Sequence, residues 1–112
     1  MYGLNTKEIS VEEVKAMLDS RQPFLLLDVR EPKEYEVVHI AGAQLVPLRE
    51  LPKQLPLLAE HMNSLIVTCC HHGARSIMAA QILSQNGFKN VCSMIGGLEA
   101  WSLQIDPTVQ RY

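Results

Sequence analysis

Short apolar runs alternate along this chain with segments of helical spacing. Runs of strand length cover residues 24–29, 65–69 and 90–94, and shorter strands are predicted at residues 7–9 and 44–46. The run at residues 24–29 is almost continuously apolar, which is typical of a parallel strand buried on both faces. The pattern therefore predicts five strands.

Helices are predicted between these strands. Ser10 begins the first helix, because Glu13 lies three residues later and completes a capping box. Apolar residues with helical spacing, Val14, Met17 and Leu18, then form a stripe along it. Further predictions are helices at residues 32–36, 75–86 and 98–103, short helical pieces divided by Pro47, Pro52 and Pro56, and a helix stop at Gly87.

Strands separated by helices imply an α/β fold with a parallel central sheet, since right-handed crossovers place the helices on its faces. With 112 residues, 47% of them hydrophobic, the chain has the size of one globular domain, predicted to span residues 1–112. Parallel sheets of this kind bind ligands at the carboxyl ends of their strands. Functional residues are therefore expected at that edge.

Charge and hydropathy exclude two classes of partner. A net charge of −2, without a local cluster of lysine and arginine, provides no basic field for nucleic acid. The longest apolar run, residues 24–27, is too short to cross a bilayer, and the N-terminus has no basic stretch followed by an apolar segment. We expect a cytoplasmic protein that binds neither nucleic acid nor membrane.

Its three cysteines lack the spacing of a disulfide framework and are predicted to be reduced.

The segment from Cys70 to Ser76 is the strongest candidate for chemistry. It places a thiol between the strand at residues 65–69 and the start of a helix, where backbone N–H groups without helical partners converge on an anion. Such surroundings favour the reactive thiolate. Gly73 allows the loop backbone to curl, and Arg75 either locks the far end of the loop or approaches a bound anion.

Cys69 offers a second register for the nucleophile. Five residues separate Cys69 from Arg75, which is the spacing of cysteine-based phosphatases, whereas four residues separate Cys70 from Arg75. Gly73 favours Cys70, because it then stands three residues after the nucleophile, as the glycine does in phosphatase-type loops. Cys69 continues the apolar run and is expected to behave as a small buried hydrophobe. We predict that Cys70 is the nucleophile.

Adjacent metal-binding side chains, Cys69, Cys70, His71 and His72, raise the question of a metal site. Structural zinc sites use ligands two to four residues apart together with a distant second pair, and that pair is absent from the sequence. No metal is predicted. Cys92, within the predicted strand at residues 90–94, is assigned to the core.

Other polar and aromatic residues have structural explanations. Asp28 and Arg30 lie at the carboxyl end of the strand at residues 24–29, and an ion pair or a loop brace is favoured over substrate contact, because ion-pair networks also occur away from catalytic sites. Trp101, Leu98 and Leu103 are predicted to form one buried face of the last helix.

Four sequence motifs follow one another between about residue 24 and residue 101. They are Asp28-Val29-Arg30-Glu31, His39-Ile40-Ala41-Gly42-Ala43, Cys70-x-x-Gly73-x-Arg75-Ser76 and Gly96-Gly97-Leu98-x-Ala100-Trp101. This ordered set resembles the single-domain rhodanese family. The resemblance implies a rhodanese-like three-layer α/β fold with a five-stranded, mainly parallel central sheet flanked by helices.

The resemblance also implies a sulfurtransferase in which Cys70 carries sulfane sulfur as a persulfide. A small sulfur-containing anion such as thiosulfate would donate the sulfur, and cyanide, a thiol or a sulfur-carrier protein would accept it, without a metal or organic cofactor. The implied substrate-binding loop consists of His71, His72, Gly73, Ala74 and Arg75. Two alternatives stay open: a non-catalytic rhodanese-like interaction module, and a cysteine phosphatase or arsenate reductase that uses Cys69.

His71 and His72 occupy loop positions that are linked to substrate choice in this family. If partly protonated near neutral pH, they would attract an anionic donor.

The tail at residues 101–112 resembles the ends of rhodanese domains attached to adenylating enzymes that load ubiquitin-like sulfur carriers. Delivery of sulfur to a protein is therefore an alternative to delivery to cyanide.

Overall fold

A computed structural model describes residues 6–112 of the chain. The first five residues, part of the N-terminus in which the sequence predicts no targeting segment, lie outside this range. The strands are β1 (Lys7–Ile9), β2 (Leu25–Asp28), β3 (Gln44–Leu45), β4 (Leu65–Cys69) and β5 (Asn90–Met94). The helices are α1 (Val11–Asp19), α2 (Pro32–Val37), α3 (Leu51–Gln54), α4 (Ala74–Gln85) and α5 (Gly97–Gln104), with 3-10 helices at Leu48–Glu50 and Leu55–His61.

The strands form one five-stranded sheet in the order β1-β5-β4-β2-β3. Every neighbouring pair is parallel. The two most central pairings join β4 to β2 and to β5, for example Leu26 to Val67 and Val67 to Cys92. This arrangement confirms the predicted α/β class, and it puts the end of β4 at the middle of the carboxyl edge.

The sheet separates two apolar clusters. Along β4, Ile66 and Val67 alternate between them, as successive side chains of a strand must. One cluster packs α1 and α5 against the sheet through Val14, Leu98 and Trp101, among others. The other packs α3 and α4 against the opposite face through residues that include Leu51, Ala79 and Leu83. Three layers result, as the family resemblance implied.

The residues predicted to begin and end helices do so in the structure. The Ser10 hydroxyl accepts a hydrogen bond from Glu13 N at 3.0 Å, and Glu13 Oε1 accepts from Ser10 N at 3.3 Å, so the capping box is present. Gly87 follows α4 with φ +93°, a left-handed conformation that suits glycine. The prolines divide residues 48–61 into short helical pieces, as expected.

The prediction for the last helix was wrong at one position. Trp101 and Leu98 are buried, but the side chain of Leu103 is 61% exposed. Residues two apart on an α-helix point in nearly opposite directions, so Leu103 cannot share a face with Trp101. None of the helices within the described range combines the length and the apolar character that crossing a membrane requires.

Candidate active site

Cys70 lies directly after β4, at the carboxyl edge of the sheet, and α4 begins four residues later at Ala74. The Cys70 side chain is 1% exposed, so its sulfur forms the floor of the loop. Gly73 precedes α4 with φ +123°, a conformation that residues with a side chain rarely adopt. The glycine thereby turns the loop backbone inward over the cysteine.

Backbone N–H groups point at the Cys70 sulfur. Gly73 N donates to Cys70 Sγ at 3.1 Å, and Ser76 N donates to it at 3.3 Å. Both groups belong to the start of α4, where N–H groups have no partner within the helix. Converging N–H dipoles and the positive end of the helix stabilise negative charge on sulfur.

The Ser76 hydroxyl adds a third polar contact. Ser76 Oγ lies 3.6 Å from Cys70 Sγ, donates to Gly73 O at 3.0 Å and is 2.7 Å from Ser93 Oγ. Thr68 Oγ1 donates to Ser76 O at 2.8 Å. These hydroxyls are fully buried, so each is held in place by its partners, and the Ser76 side chain is fixed beside the sulfur.

The first turn of α5 supports the loop from behind. Leu98 N donates to Cys70 O at 2.8 Å, and Glu99 N donates to His71 O at 3.1 Å. Gly97 lies against the same carbonyl groups, and a Cβ atom on it would overlap the backbone of Cys70 and His71. A glycine is therefore required here both for its φ of +59° and for the close approach of two backbones.

Arg75 locks the far end of the loop. Its guanidinium donates two hydrogen bonds to the Glu34 carboxylate, at 2.6 and 2.9 Å, which ties α4 to α2. These bonds lower the pKa of Glu34 from its ordinary value of 4.5 to about 2. Of the two roles that the sequence allowed for Arg75, the geometry supports the structural one.

Cys69 lies in the strand, on the other side of the sheet from Cys70. It is completely buried among the residues that pack α1 and α5. Burial raises the pKa of its thiol well above the ordinary value, which suppresses the thiolate. Cys69 is therefore a core residue, and the register that would use it as a nucleophile has no support from the geometry. Cys92 is half-buried, and burial raises the pKa of its thiol too.

Asp28 and Arg30 form the ion pair that the sequence suggested. Both side chains are fully buried, and Arg30 Nη2 lies 2.7 Å from Asp28 Oδ2. A second bond, from Arg30 Nε to Asp28 Oδ1 at 2.9 Å, makes the pair bidentate. The pair supports the end of β2 from within and does not touch the Cys70 sulfur.

A family model for the Rhodanese-like domain matches residues 10–104. This chain belongs to the rhodanese-like family.

Relatives of this rhodanese-like domain differ in size. Putative sulfur carrier protein YrkF of Bacillus subtilis is 42% identical over 95 residues, covering 85% of this chain and 50% of that protein. Adenylyltransferase and sulfurtransferase MOCS3-2 of Zea mays is 35% identical, and the match covers 93% of this chain and 23% of that protein. The crystal structure of thiosulfate sulfurtransferase from Pseudomonas aeruginosa aligns with a TM-score of 0.79 and 33% identity. The alignment covers 88% of this chain and 19% of that one. This chain thus spans half or less of each of these proteins.

His71 and His72 stand at the entrance of the rhodanese-like loop. Their rings stack, with centroids 3.9 Å apart, while Ala74 is exposed beside them. Burial, followed by the nearby charge of His72, lowers the pKa of His71. The lowered pKa weakens the positive charge that His71 offers to an anionic donor, and the hypothesis that both histidines attract such a donor stays a prediction.

One group of possible metal ligands occurs within residues 6–112. Ligand atoms of His71, His72 and Glu99 lie within 4.8 Å of one another. The Glu99 carboxylate already accepts two hydrogen bonds from Arg111, at 2.6 and 3.0 Å. Arg111 thereby balances the negative charge that would attract a cation to Glu99. The absence of a resident metal stays a prediction.

Several residues of the site were not identified from sequence. Gly97 was named only as part of the fourth motif, and Glu34, Ser93 and Tyr112 received no role. Ser76 was not given a role of its own either. Its place in the motif, directly after Arg75 in the first turn of a helix, could have indicated that it lies beside the Cys70 sulfur. The others reach the loop only through the tertiary fold, because each lies far from Cys70 in sequence.

Proposed function

We propose that this domain is a sulfurtransferase that carries sulfane sulfur on Cys70. The donor is a small sulfur-containing anion such as thiosulfate, and the acceptor is cyanide, a thiol or a sulfur-carrier protein. The names of the maize and Pseudomonas relatives support sulfur transfer as the reaction class. No metal or organic cofactor takes part in the proposed reaction.

The observation that carries this proposal is the set of N–H groups directed at the Cys70 sulfur. Gly73 N and Ser76 N donate to Sγ itself, so the loop is built around an anionic sulfur at its floor. His71, His72, Gly73, Ala74 and Arg75 form the substrate-binding loop above it. A persulfide adds one sulfur atom that bears the negative charge, and further N–H groups of a curled loop stabilise that charge.

The reaction proceeds by two displacements at sulfur. The Cys70 thiolate attacks the outer sulfur of thiosulfate, a new S–S bond forms, and sulfite leaves with the electron pair of the broken S–S bond. An acceptor nucleophile then attacks the outer sulfur of the persulfide. With cyanide, thiocyanate leaves and the Cys70 thiolate is regenerated; with a thiol, the acceptor becomes the persulfide. No oxidant or reductant is consumed in the exchange with cyanide.

A reducing compartment such as the cytoplasm suits this chemistry. Cys69, Cys70 and Cys92 are all unpaired, and thiols persist where glutathione and thioredoxin keep them reduced. The acceptor in that compartment is a thiol or a sulfur-carrier protein.

The direct test is the mass of the intact protein after incubation with thiosulfate. We expect a gain of one sulfur atom that a reducing agent removes. Cys70→Ser abolishes the gain, and Cys69→Ser, the matched control in the same strand end, retains it. Thiocyanate formation over many turnovers, measured with cyanide, then distinguishes an enzyme from a protein that is loaded once.

A second function is favoured by the name of one relative. The Bacillus subtilis protein is described as a putative sulfur carrier, and a carrier needs the same persulfide without turnover. Loading of Cys70 without multiple turnover would support that function. A sulfur adduct that survives Cys70→Ser would contradict both functions, and the complete absence of an adduct with any sulfane donor would favour an interaction module.

A further inference from the structure

Residues 105–112 turn back from α5 across the catalytic loop. Val109, 7% exposed, is anchored in the cluster that packs α1 and α5, and its carbonyl accepts a hydrogen bond from Ser102 Oγ at 2.7 Å. Arg111 then pairs with Glu99 in the first turn of α5. This segment is thereby held where its next side chain, Tyr112, meets the loop.

The ring of Tyr112 packs on the first part of the loop. It lies parallel to the ring of His71, with an interplanar angle of 11° and centroids 3.8 Å apart. His71 is therefore stacked on both faces, by Tyr112 and by His72. This packing restricts the residue that directly follows the Cys70 nucleophile.

The hydroxyl of Tyr112 reaches the other end of the loop. It accepts a hydrogen bond from Arg30 Nη1 at 2.7 Å and donates one to Glu34 Oε2 at 3.0 Å. Glu34 is the residue that holds Arg75. The phenol oxygen thus connects the buried Asp28–Arg30 pair with the Glu34–Arg75 pair. Burial raises the pKa of Tyr112 to about 12, so its proton stays in place to donate to Glu34.

We propose that Tyr112 is a positioning residue that clamps both ends of the catalytic loop, His71 by stacking and Arg75 through Glu34. The functional part of this proposal rests on the sulfurtransferase function proposed above. Fixing both ends keeps Gly73 N and Ser76 N directed at the sulfur, and preorganised donors act on charge that develops during the reaction. Tyr112 itself does not touch the sulfur.

The test compares Tyr112 with Tyr35, which supplies a matched control. The Tyr35 ring also stacks on a histidine, His39, with centroids 3.8 Å apart, and its hydroxyl donates one hydrogen bond, to the carbonyl oxygen of Ala43. Tyr112→Leu and Tyr35→Leu remove each stack and hydroxyl, and Tyr112→Phe and Tyr35→Phe remove only the hydroxyls. Each variant is examined by NMR hydrogen exchange and by thiosulfate kinetics.

The clamp predicts a specific pattern. Amide exchange at Gly73 and Ser76 speeds up at least about fivefold in Tyr112→Leu, and kcat falls about tenfold with little change in KM, because loop alignment matters most in the transition state. Tyr112→Phe shows a smaller part of both effects. The Tyr35 variants leave both readouts near the wild-type values.

Wild-type exchange at Gly73 and Ser76 in Tyr112→Leu would overturn the clamp, as would equal effects in Tyr35→Leu. If Tyr112→Leu does not fold, Tyr112→Phe decides: faster exchange supports the clamp, and wild-type exchange overturns it. A wild-type protein that takes no sulfur from any sulfane donor would refute the proposed function, while the exchange rates would still decide the role of Tyr112.

Discussion

Two adjacent cysteines have opposite environments in this domain. Cys70 receives N–H hydrogen bonds from Gly73 and Ser76, whereas Cys69 is enclosed by apolar side chains and its thiol pKa is raised. The position of Gly73 and the apolar run that ends at Cys69 predicted this difference from the sequence. The role of the Ser76 hydroxyl was not predictable, because its orientation depends on Ser93, which lies in β5.

Ser76→Ala tests the contribution of that hydroxyl. The substitution keeps the backbone N–H that donates to Cys70 but removes the only side-chain hydroxyl recorded beside the sulfur in the described part of the chain. We expect the rate of persulfide formation to fall about fivefold, the usual net worth of one hydrogen bond, because the lost hydroxyl donates to Gly73 O and so holds the loop that carries the N–H donors. Mass spectrometry of quenched samples measures the rate. Ser84→Ala, on an exposed position of the same helix, should leave it unchanged; equal rates in both variants would remove Ser76 from the site.

At the scale of elements, the loop is held between three of them. The start of α4 supplies the N–H groups, the first turn of α5 holds the carbonyls of residues 70 and 71, and α2 holds Arg75 through Glu34. Helix and strand positions were predictable because each element has its own apolar period and end signals. Contacts between elements were not, since they depend on packing that the periodicity does not encode.

Gly97→Ala should damage the domain far more than Gly42→Ala. Both glycines have positive φ, +59° and +88°, so alanine costs each about 1–2 kcal/mol of backbone strain. A Cβ atom at position 42 meets nothing within 4 Å, but at position 97 it overlaps the backbone of the catalytic loop. Urea unfolding should therefore show the larger loss for Gly97→Ala, together with slower sulfur loading. Equal losses would mean that the two backbones do not approach as described.

The connection between α2 and α4 makes stability depend on pH in the acid range. The pKa of Glu34 is lowered in the folded state, from 4.5 to about 2, so its contribution is fully present above pH 4.5 and is lost as the pH falls towards 2. The free energy of unfolding of Glu34→Gln should be below that of the wild type at neutral pH. The difference should shrink between pH 4.5 and pH 2; a difference independent of pH would show that Arg75 does not bind this carboxylate.

Across the whole molecule, an internal chain of polar contacts links distant parts of the sequence. It runs from Asp28 through Arg30 and Tyr112 to Glu34 and Arg75. The α/β class and the parallel sheet were predictable from patterns within short segments. This chain of contacts was not, because the bond between Arg30 and Tyr112 joins residues 82 positions apart.

Removing the guanidinium at the centre of this chain should destabilise the whole domain. Arg30→Met leaves the Asp28 carboxylate buried without a counter-ion, and the expected loss is about 3–5 kcal/mol. Arg49→Met is the control: Arg49 pairs with Glu31, but the two side chains are 60% and 46% exposed, so little or no loss of stability is expected. Urea unfolding monitored by circular dichroism gives both values. Comparable losses for the two variants would show that Arg30 is not shielded from water.

The alternation of side chains at the end of β4 has a consequence for the lifetime of bound sulfur. Cys69 and Cys70 face opposite sides of the sheet, so the thiol nearest in sequence cannot reach the persulfide and discharge it as an intramolecular disulfide. Cys92 lies on the same side as Cys69. If Cys70 carries sulfur as proposed, neither of the other two cysteines can discharge it, and the time for which the domain retains its sulfur is set by the arrival of an external acceptor.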